Sequence, residues 1–231
     1  MPWGINAMIP FAGVLTEPAA GKAPWRHYWE LIRFRYHLSF VVVLLGILTV
    51  SHDLAWPLVA SAAALYVSFN VLLYGGIYTL HAISDAGLDR LHPRKCKRPI
   101  ASGSIPTGRA RLFGTALLLG GLLTAWALFS AGILNIYAAV LLLNALYSIG
   151  ARSIPYLEIA VNAATYPLRY LLGAVLAGGT PGLPLLLLVF LVAAGGVTLR
   201  RRLELERGGM QARPALAGYS PRSLAALEVG L

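Results

Sequence analysis

LVASAAALYVSFNVLLYGGIYTLHAI, Leu58 to Ile83, contains no aspartate, glutamate, lysine or arginine. Roughly 20 apolar residues in a helix cross the hydrocarbon of a bilayer, and this run is longer than that. Helix is the form expected, because a lone segment in lipid must satisfy its own backbone hydrogen bonds. Directly beyond it the chain turns polar, and SDAGLDR, Ser84 to Arg90, carries two of the three aspartates in the sequence, Asp85 and Asp89.

Working outward, the same reading gives five further apolar segments, at about Tyr36–Val50, Leu112–Leu134, Asn135–Ile149, Leu157–Ala177 and Leu183–Leu199. Hydrophobic residues make up 58% of the 231 and charged ones 12%, against about 25% charged in soluble domains. The expectation is an all-α polytopic bundle of about six to seven helices, a single transmembrane domain over residues 1–231. Residues 1–32 are its N-terminal cytoplasmic segment. Gly4–Leu15 is mildly apolar with no basic residue before it, so it does not read as a signal peptide. Ser223–Leu231 is too short to span.

The 19 lysines and arginines fall at the N-terminus, at 90–111, at Arg152 and after about residue 199, with Arg169 alone inside a span. The connections at Ser51–Trp56, Ala131–Leu134 and Gly178–Gly182 hold none. Six crossings put every basic segment on one side, and the positive-inside rule makes that side the cytoplasm of a plasma membrane. The net charge of +10 is therefore mostly topological. Split among short loops, it argues against nucleic-acid binding. Cys96 stands alone, so no disulfide is expected.

Asp85 and Asp89 are one helical turn apart, so their carboxylates share a face. Alone, this spacing also suits a solvated helix end paired to Arg90 and Arg94. The stretch HAISDAGLDRLHPRKCKRPIASGSIP, His81 to Pro106, continues with Arg94, Lys95, Lys97 and Arg98. Carboxylates that share Mg²⁺ with substrate phosphates, followed by cations for phosphate oxygens, make a diphosphate site. In the fifth segment Glu158, Asn162, Thr165 and Arg169 form one polar stripe. Glu158 and Arg169 are about 16 Å apart along the axis, so each needs another partner.

These residues resemble the UbiA superfamily of intramembrane prenyltransferases. Asp85, Asp89, Arg98, Pro99, Ser102 and Gly103 match its first signature, N-x-x-x-D-x-x-x-D followed by a basic run and R-P-[LI]-x-[SA]-G. His81 stands where that signature has Asn and suits a hydrogen bond to phosphate or carboxylate. YSIGARSIPYLEI, Tyr147 to Ile159, and the pair Leu168 and Arg169 resemble the decaprenyl-phosphate phosphoribosyltransferase branch, with Arg152 in place of a Lys. LRRRLELE, Leu199 to Glu206, resembles that branch's G-K-R-x-x-E-L through Arg200, Arg201, Glu204 and Leu205. RPALAGYSP, Arg213 to Pro221, resembles its continuation. The W-x-K-N entry expected in the first helix is missing. The superfamily has nine helices against about six here, which leaves open whether the chain is complete at its C-terminus.

The resemblance implies a Mg²⁺-dependent transferase acting on polyprenyl phosphate or diphosphate. Asp85 and Asp89 would hold the metal and, with Glu158, carry catalysis. His81, Lys97, Arg98, Tyr147, Arg152, Arg169, Arg200, Arg201 and Glu204 would bind substrate. The chain has no aspartate after Asp89, whereas relatives with aromatic acceptors carry a second D-x-x-x-D. That favours phosphoribosyl diphosphate as donor and a polyprenyl phosphate as acceptor. Prenyl transfer from a polyprenyl diphosphate, and a non-catalytic scaffold or transporter, remain the alternatives.

Overall fold

The computed structural model describes residues 25–206 and 214–230. The expectations for Gly4–Leu15 and Arg213 lie outside them. Among the described residues the fold is all-α: α1 Trp25–Ile32, α2 Val41–Val50, α3 Trp56–Leu65, α4 Tyr74–Arg90, α5 Thr107–Leu128, α6 Ala131–Ile149, α7 Leu157–Leu176, α8 Leu183–Glu206 and α9 Pro221–Gly230. A 3₁₀ segment, Phe34–Phe40, joins α1 to α2, and a π-helical segment, Tyr66–Leu73, joins α3 to α4.

Among the described residues six stretches are long and apolar enough to cross a membrane: Trp25–Val50, Trp56–Arg90, α5, α6, α7 and α8. Leucines that point outward, such as Leu44, Leu45, Leu119, Leu123 and Leu188, are exposed along them, as lipid-facing residues must be. The protein is an integral membrane protein.

The second and sixth spans run on past their expected ends, to Arg90 and Glu206, and two further differences from the sequence reading have a clear local cause. The first span begins at Trp25, because α1 buries Leu31 and Ile32 against α4 and runs on through the 3₁₀ segment. The third stops at Leu128, not Leu134: Phe129 is extended (φ −125°, ψ 168°), and the Ser130 carbonyl accepts the amide of Leu134 to start α6. Ser130 was the available start signal, hidden in an apolar run.

Small residues set the packing, as they do between helices in lipid. A Cβ on Gly46 of α2 would sit 2.0 Å from the Tyr170 carbonyl oxygen, and one on Gly173 of α7 would sit 1.9 Å from that of Val43. The two backbones therefore touch. A core of Val43, Phe69, Tyr74, Ile77, Tyr137 and Leu172, among others, ties α2, α4, α6 and α7 together. A second cluster holds α9 and the 3₁₀ turn Pro214–Gly218 against α7 and α8. In a third, Ile100 and Ile105 anchor the 91–106 loop on α1, α4 and α5. Gly103 (φ 79°) makes the turn between those anchors.

Candidate functional site

A cavity of about 760 Å³ lies among the polar ends of α4, α6, α7 and α8. That is in the range of small-molecule sites. From α4 it takes Tyr74, Tyr78, His81, Asp85 and Asp89. From α7 it takes Asn162, Thr165, Tyr166 and Arg169. Tyr147 and Asn144 come from α6, Arg200 from α8, Arg152 from the 3₁₀ turn Ala151–Ser153, and Lys95 and Arg98 from the loop after α4.

The carboxylates sit in unlike surroundings. The Asp89 side chain is 6% exposed, and its Oδ2 accepts from Arg98 Nη1 at 2.7 Å. Asp85 is 37% exposed, and its Oδ1 accepts from Arg152 Nη1 at 3.0 Å. Among the described residues no group of three or more His, Cys, Asp or Glu is arranged to hold a metal. Two carboxylates one turn apart fit Mg²⁺ that completes its shell with water and substrate phosphate, the usual arrangement for that ion. They do not fit a cage of protein ligands alone.

His81 ties α4 to α6 through Ser148, with Nε2 and Oγ 2.8 Å apart. The Ser148 hydroxyl donates to the Asn144 carbonyl at 2.8 Å, so Nε2 is the donor in the pair.

Arg169 is 5% exposed and lies deep in the cavity. Its guanidinium carbon is 4.3 Å from the Tyr74 ring centroid, 5.6 Å from that of Tyr166 and 5.9 Å from that of Phe69. Nη1 donates to the Thr165 carbonyl at 3.1 Å, while Nε is buried with no hydrogen-bond partner among the described residues. Nor does any carboxylate among them approach within 4 Å. Stacked rings stabilise the cation and leave its charge free to attract an anion.

Glu158 does not line the cavity, contrary to expectation. It is fully buried, and Arg201 grips both its oxygens, Nη2 donating to Oε2 at 2.8 Å and Nε to Oε1. Tyr219 donates to Oε1 at 3.3 Å and Asn162 Nδ2 to the Glu158 carbonyl at 3.1 Å. Burial pushes the Tyr219 phenol up to about 12, so it stays a donor. The same phenol oxygen accepts the amide of Tyr156 at 2.9 Å. Tyr156 has φ 64°, in a tight turn where the Leu157 amide reaches the Pro155 carbonyl at 2.7 Å. A non-glycine residue there costs about 1–3 kcal/mol and needs surrounding support. The pair thus braces the turn that follows Arg152.

Three successive arginines diverge because a helix turns about 100° per residue. Arg200 lines the cavity, Arg201 meets Glu158, and Arg202 pairs outward with Glu206 and Glu228. Glu204 serves Arg201 at 3.0 Å and lines neither the main cavity nor the smaller hollow near Lys97. Lys97 opens into a second hollow beside the first, away from the main cavity. So His81, Asp85, Asp89, Arg98, Tyr147, Arg152, Arg169 and Arg200 come together, while Lys97, Glu158, Arg201 and Glu204 do not. The sequence reading missed Arg33, which lines both hollows from a left-handed break (φ 58°, ψ 52°) between α1 and the 3₁₀ segment. Neither Gly nor Pro marks that break.

The chain is 31% identical over 195 residues to the decaprenyl-phosphate phosphoribosyltransferase of Corynebacterium glutamicum, over 74% of this chain and 56% of that protein. It is 30% identical over 168 residues to the enzyme of that name from Mycolicibacterium smegmatis, over 69% of this chain and 51% of that protein. The chain thus spans about half the length of these curated relatives. A solved structure of a UbiA homolog from Archaeoglobus fulgidus, bound to DMAPP and Mg²⁺, has the same fold, with a TM-score of 0.75 at 19% identity over 88% of this chain and 73% of that one. Residues 34–210, which include Asp85, Asp89 and every residue that lines the main cavity except Arg33, match one family, and the chain belongs to it: the UbiA prenyltransferase family.

Proposed function

We propose that the protein is a Mg²⁺-dependent transferase acting on polyprenyl phosphates, and that it moves phosphoribose from phosphoribosyl diphosphate to a polyprenyl phosphate at the cytoplasmic face of the plasma membrane. The observation that carries the reading is the cavity's charge pattern. It has one aspartate pair at its polar end, five arginines (Arg33, Arg98, Arg152, Arg169 and Arg200) around it, and no second aspartate pair. A donor with phosphate at both ends of a sugar suits several cations and a single metal-binding pair. The names of the curated relatives support the same donor.

In this reading a phosphate oxygen of the lipid attacks the anomeric carbon, the bond from that carbon to the diphosphate oxygen breaks, and the diphosphate leaves with the electron pair. Mg²⁺ held by Asp85 and Asp89 supplies neutralisation of the leaving group's charge. Arg98, Arg152 and Arg200 bind diphosphate oxygens, and Arg169 attracts the phosphate that reaches deepest. His81 and Tyr147 shape the wall facing the sugar. Positioned charge is the main catalytic contribution. Glu158 is a positioning residue. With Arg201, Glu204 and Tyr219 it fixes the start of α7, and through Asn162 it reaches the cavity wall.

One observation favours a second reading, prenyl transfer. The rings of Tyr74, Tyr78 and Tyr166 line the cavity, and aromatic faces stabilise a cation such as an allylic one. Purified protein with Mg²⁺ is offered labelled phosphoribosyl diphosphate with polyprenyl phosphate, beside a prenyl diphosphate with an aromatic acceptor. Turnover of the sugar donor is expected. Turnover of the prenyl diphosphate alone would reject phosphoribosyl transfer and keep prenyl transfer.

A further inference from the structure

The second hollow, about 570 Å³, lies beyond the Asp89–Arg98 pair, between α1, the segment after it and the 91–106 loop. Five cations line it, Arg33, Arg35, Arg94, Lys97 and Arg98, against Glu30 and Asp89. Asp89 is matched by Arg98, and Glu30 lies 3.7 Å from His27. Arg94 and Lys97 are exposed and, among the described residues, have no carboxylate within 4 Å. Arg35 is engaged by Tyr36, over whose ring it stacks at 4.7 Å. The hollow therefore carries surplus positive charge.

Its rim is apolar. Trp29 (49% exposed) and Phe34 (43% exposed) touch at 5.6 Å between ring centroids and belong to the stretch that opens the first membrane span. Exposed aromatic rings at the start of a span belong to the membrane–water boundary. Cations alone would serve a phosphate from solution, and the rings beside them suit an attached hydrocarbon chain.

We propose that this hollow is a second phosphate site, which receives the phosphomonoester headgroup of a lipid at the membrane boundary. Naming that lipid as the polyprenyl phosphate acceptor rests on the phosphoribosyl-transfer reading, but the site itself does not. Arg33 and Arg98 line both hollows, so a headgroup held by Arg35, Arg94 and Lys97 passes to the main cavity along a continuous cationic surface. Asp89 stands in the same wall and would repel a phosphate dianion, so its pairing with Arg98 is part of the route.

The test measures equilibrium binding of labelled farnesyl phosphate to the full chain in nanodiscs of neutral lipid, with no donor present and no turnover required. Arg35→Gln with Arg94→Gln is expected to weaken farnesyl phosphate binding about 10- to 30-fold, since each basic residue near a membrane surface contributes about 1 kcal/mol. Binding of phosphoribosyl diphosphate should hold. Glu30→Gln, which enlarges the positive surplus, should tighten farnesyl phosphate binding, and it serves as the second probe if the double variant misfolds. Unchanged binding in the double variant, or looser binding in Glu30→Gln, overturns the site. Inorganic phosphate displacing farnesyl phosphate at equal concentration overturns its assignment to a lipid. Binding that depends on Arg35 and Arg94, in a protein that never uses phosphoribosyl diphosphate, removes the reaction reading and leaves the site standing.

Discussion

At the scale of single residues, Asp85 and Asp89 share a helix face but not an environment. Asp89 is closed off, at 6% exposed, beside an Arg98 that is itself 33% exposed, while Asp85 and Arg152 are both more than a third exposed. Changing either to Asn should lower Mg²⁺-dependent turnover by about 10²–10³, the usual loss when one charge-stabilising group is removed from a transition state. Stability should separate them. Asp89→Asn loses a largely buried charge-assisted bond, at about 1–3 kcal/mol, whereas Asp85→Asn loses an exposed pair, at about 0–1 kcal/mol. Turnover and thermal unfolding in one detergent check both, and full turnover in either variant would remove that carboxylate from the site. The i, i+4 spacing made the pair legible in the sequence. The difference in burial was not, because it depends on Ile100 and Ile105 folding the Arg98 loop back onto α4. Arg200 and Arg201 were equally opaque, since helical phase against α7 decides which one meets Glu158.

At the scale of elements, the polar stripe on α7 was legible as a stripe, and the length of the helix told that its ends could not pair. What it could not tell was that the stripe divides, with Asn162, Thr165 and Arg169 turned to the cavity and Glu158 turned to α8. Removing one partner of a buried pair strands the other, at about 3–5 kcal/mol, while apolar residues at both positions are often tolerated. Glu158→Leu and Arg201→Met should each destabilise by that amount, and the double variant should recover most of the loss. Simple addition of the two losses in unfolding experiments would show that they do not act as a pair. The α2–α7 contact gives a second expectation. Gly173→Val drives side-chain atoms into the Val43 carbonyl, so the helices must separate, at about 1–3 kcal/mol or more. Thermal unfolding measures it, and an unchanged midpoint would contradict the close approach. Hydropathy gave the number of spans correctly, but the break at Phe129–Ser130 has apolar residues on both sides and left no dip to find.

At the scale of the molecule, six spans place the Arg- and Lys-bearing connections on one side and the connections at 51–55, 129–130 and 177–182 on the other. The positive-inside rule predicts that the basic side is cytoplasmic, so an impermeant thiol reagent added to intact cells should miss Cys96 and label a cysteine introduced by Thr180→Cys. The reverse pattern would invert the topology. That the basic connections share one side follows from the number of spans and the positions of the charges, and so it was legible early. The paired hollows were not, because the main one forms among α4, α6, α7 and α8 and the second where α1, α4 and a loop meet, and Arg33 joins them only through a backbone conformation that its neighbours in sequence do not announce.

The pairing of each aspartate with an arginine has a thermodynamic consequence. A divalent cation arriving at Asp85 or Asp89 competes with Arg152 or Arg98, so by itself it gains little. Once displaced, those guanidiniums are free to accept phosphate oxygens, and a phosphate that takes them leaves the carboxylates open to the cation. Each ligand removes the competitor of the other, and linkage makes the gain reciprocal. Diphosphate should tighten Mg²⁺ binding by the factor by which Mg²⁺ tightens diphosphate binding. Calorimetric titrations of each with and without the other measure the two factors, and they should shrink together in Arg98→Gln or Arg152→Gln.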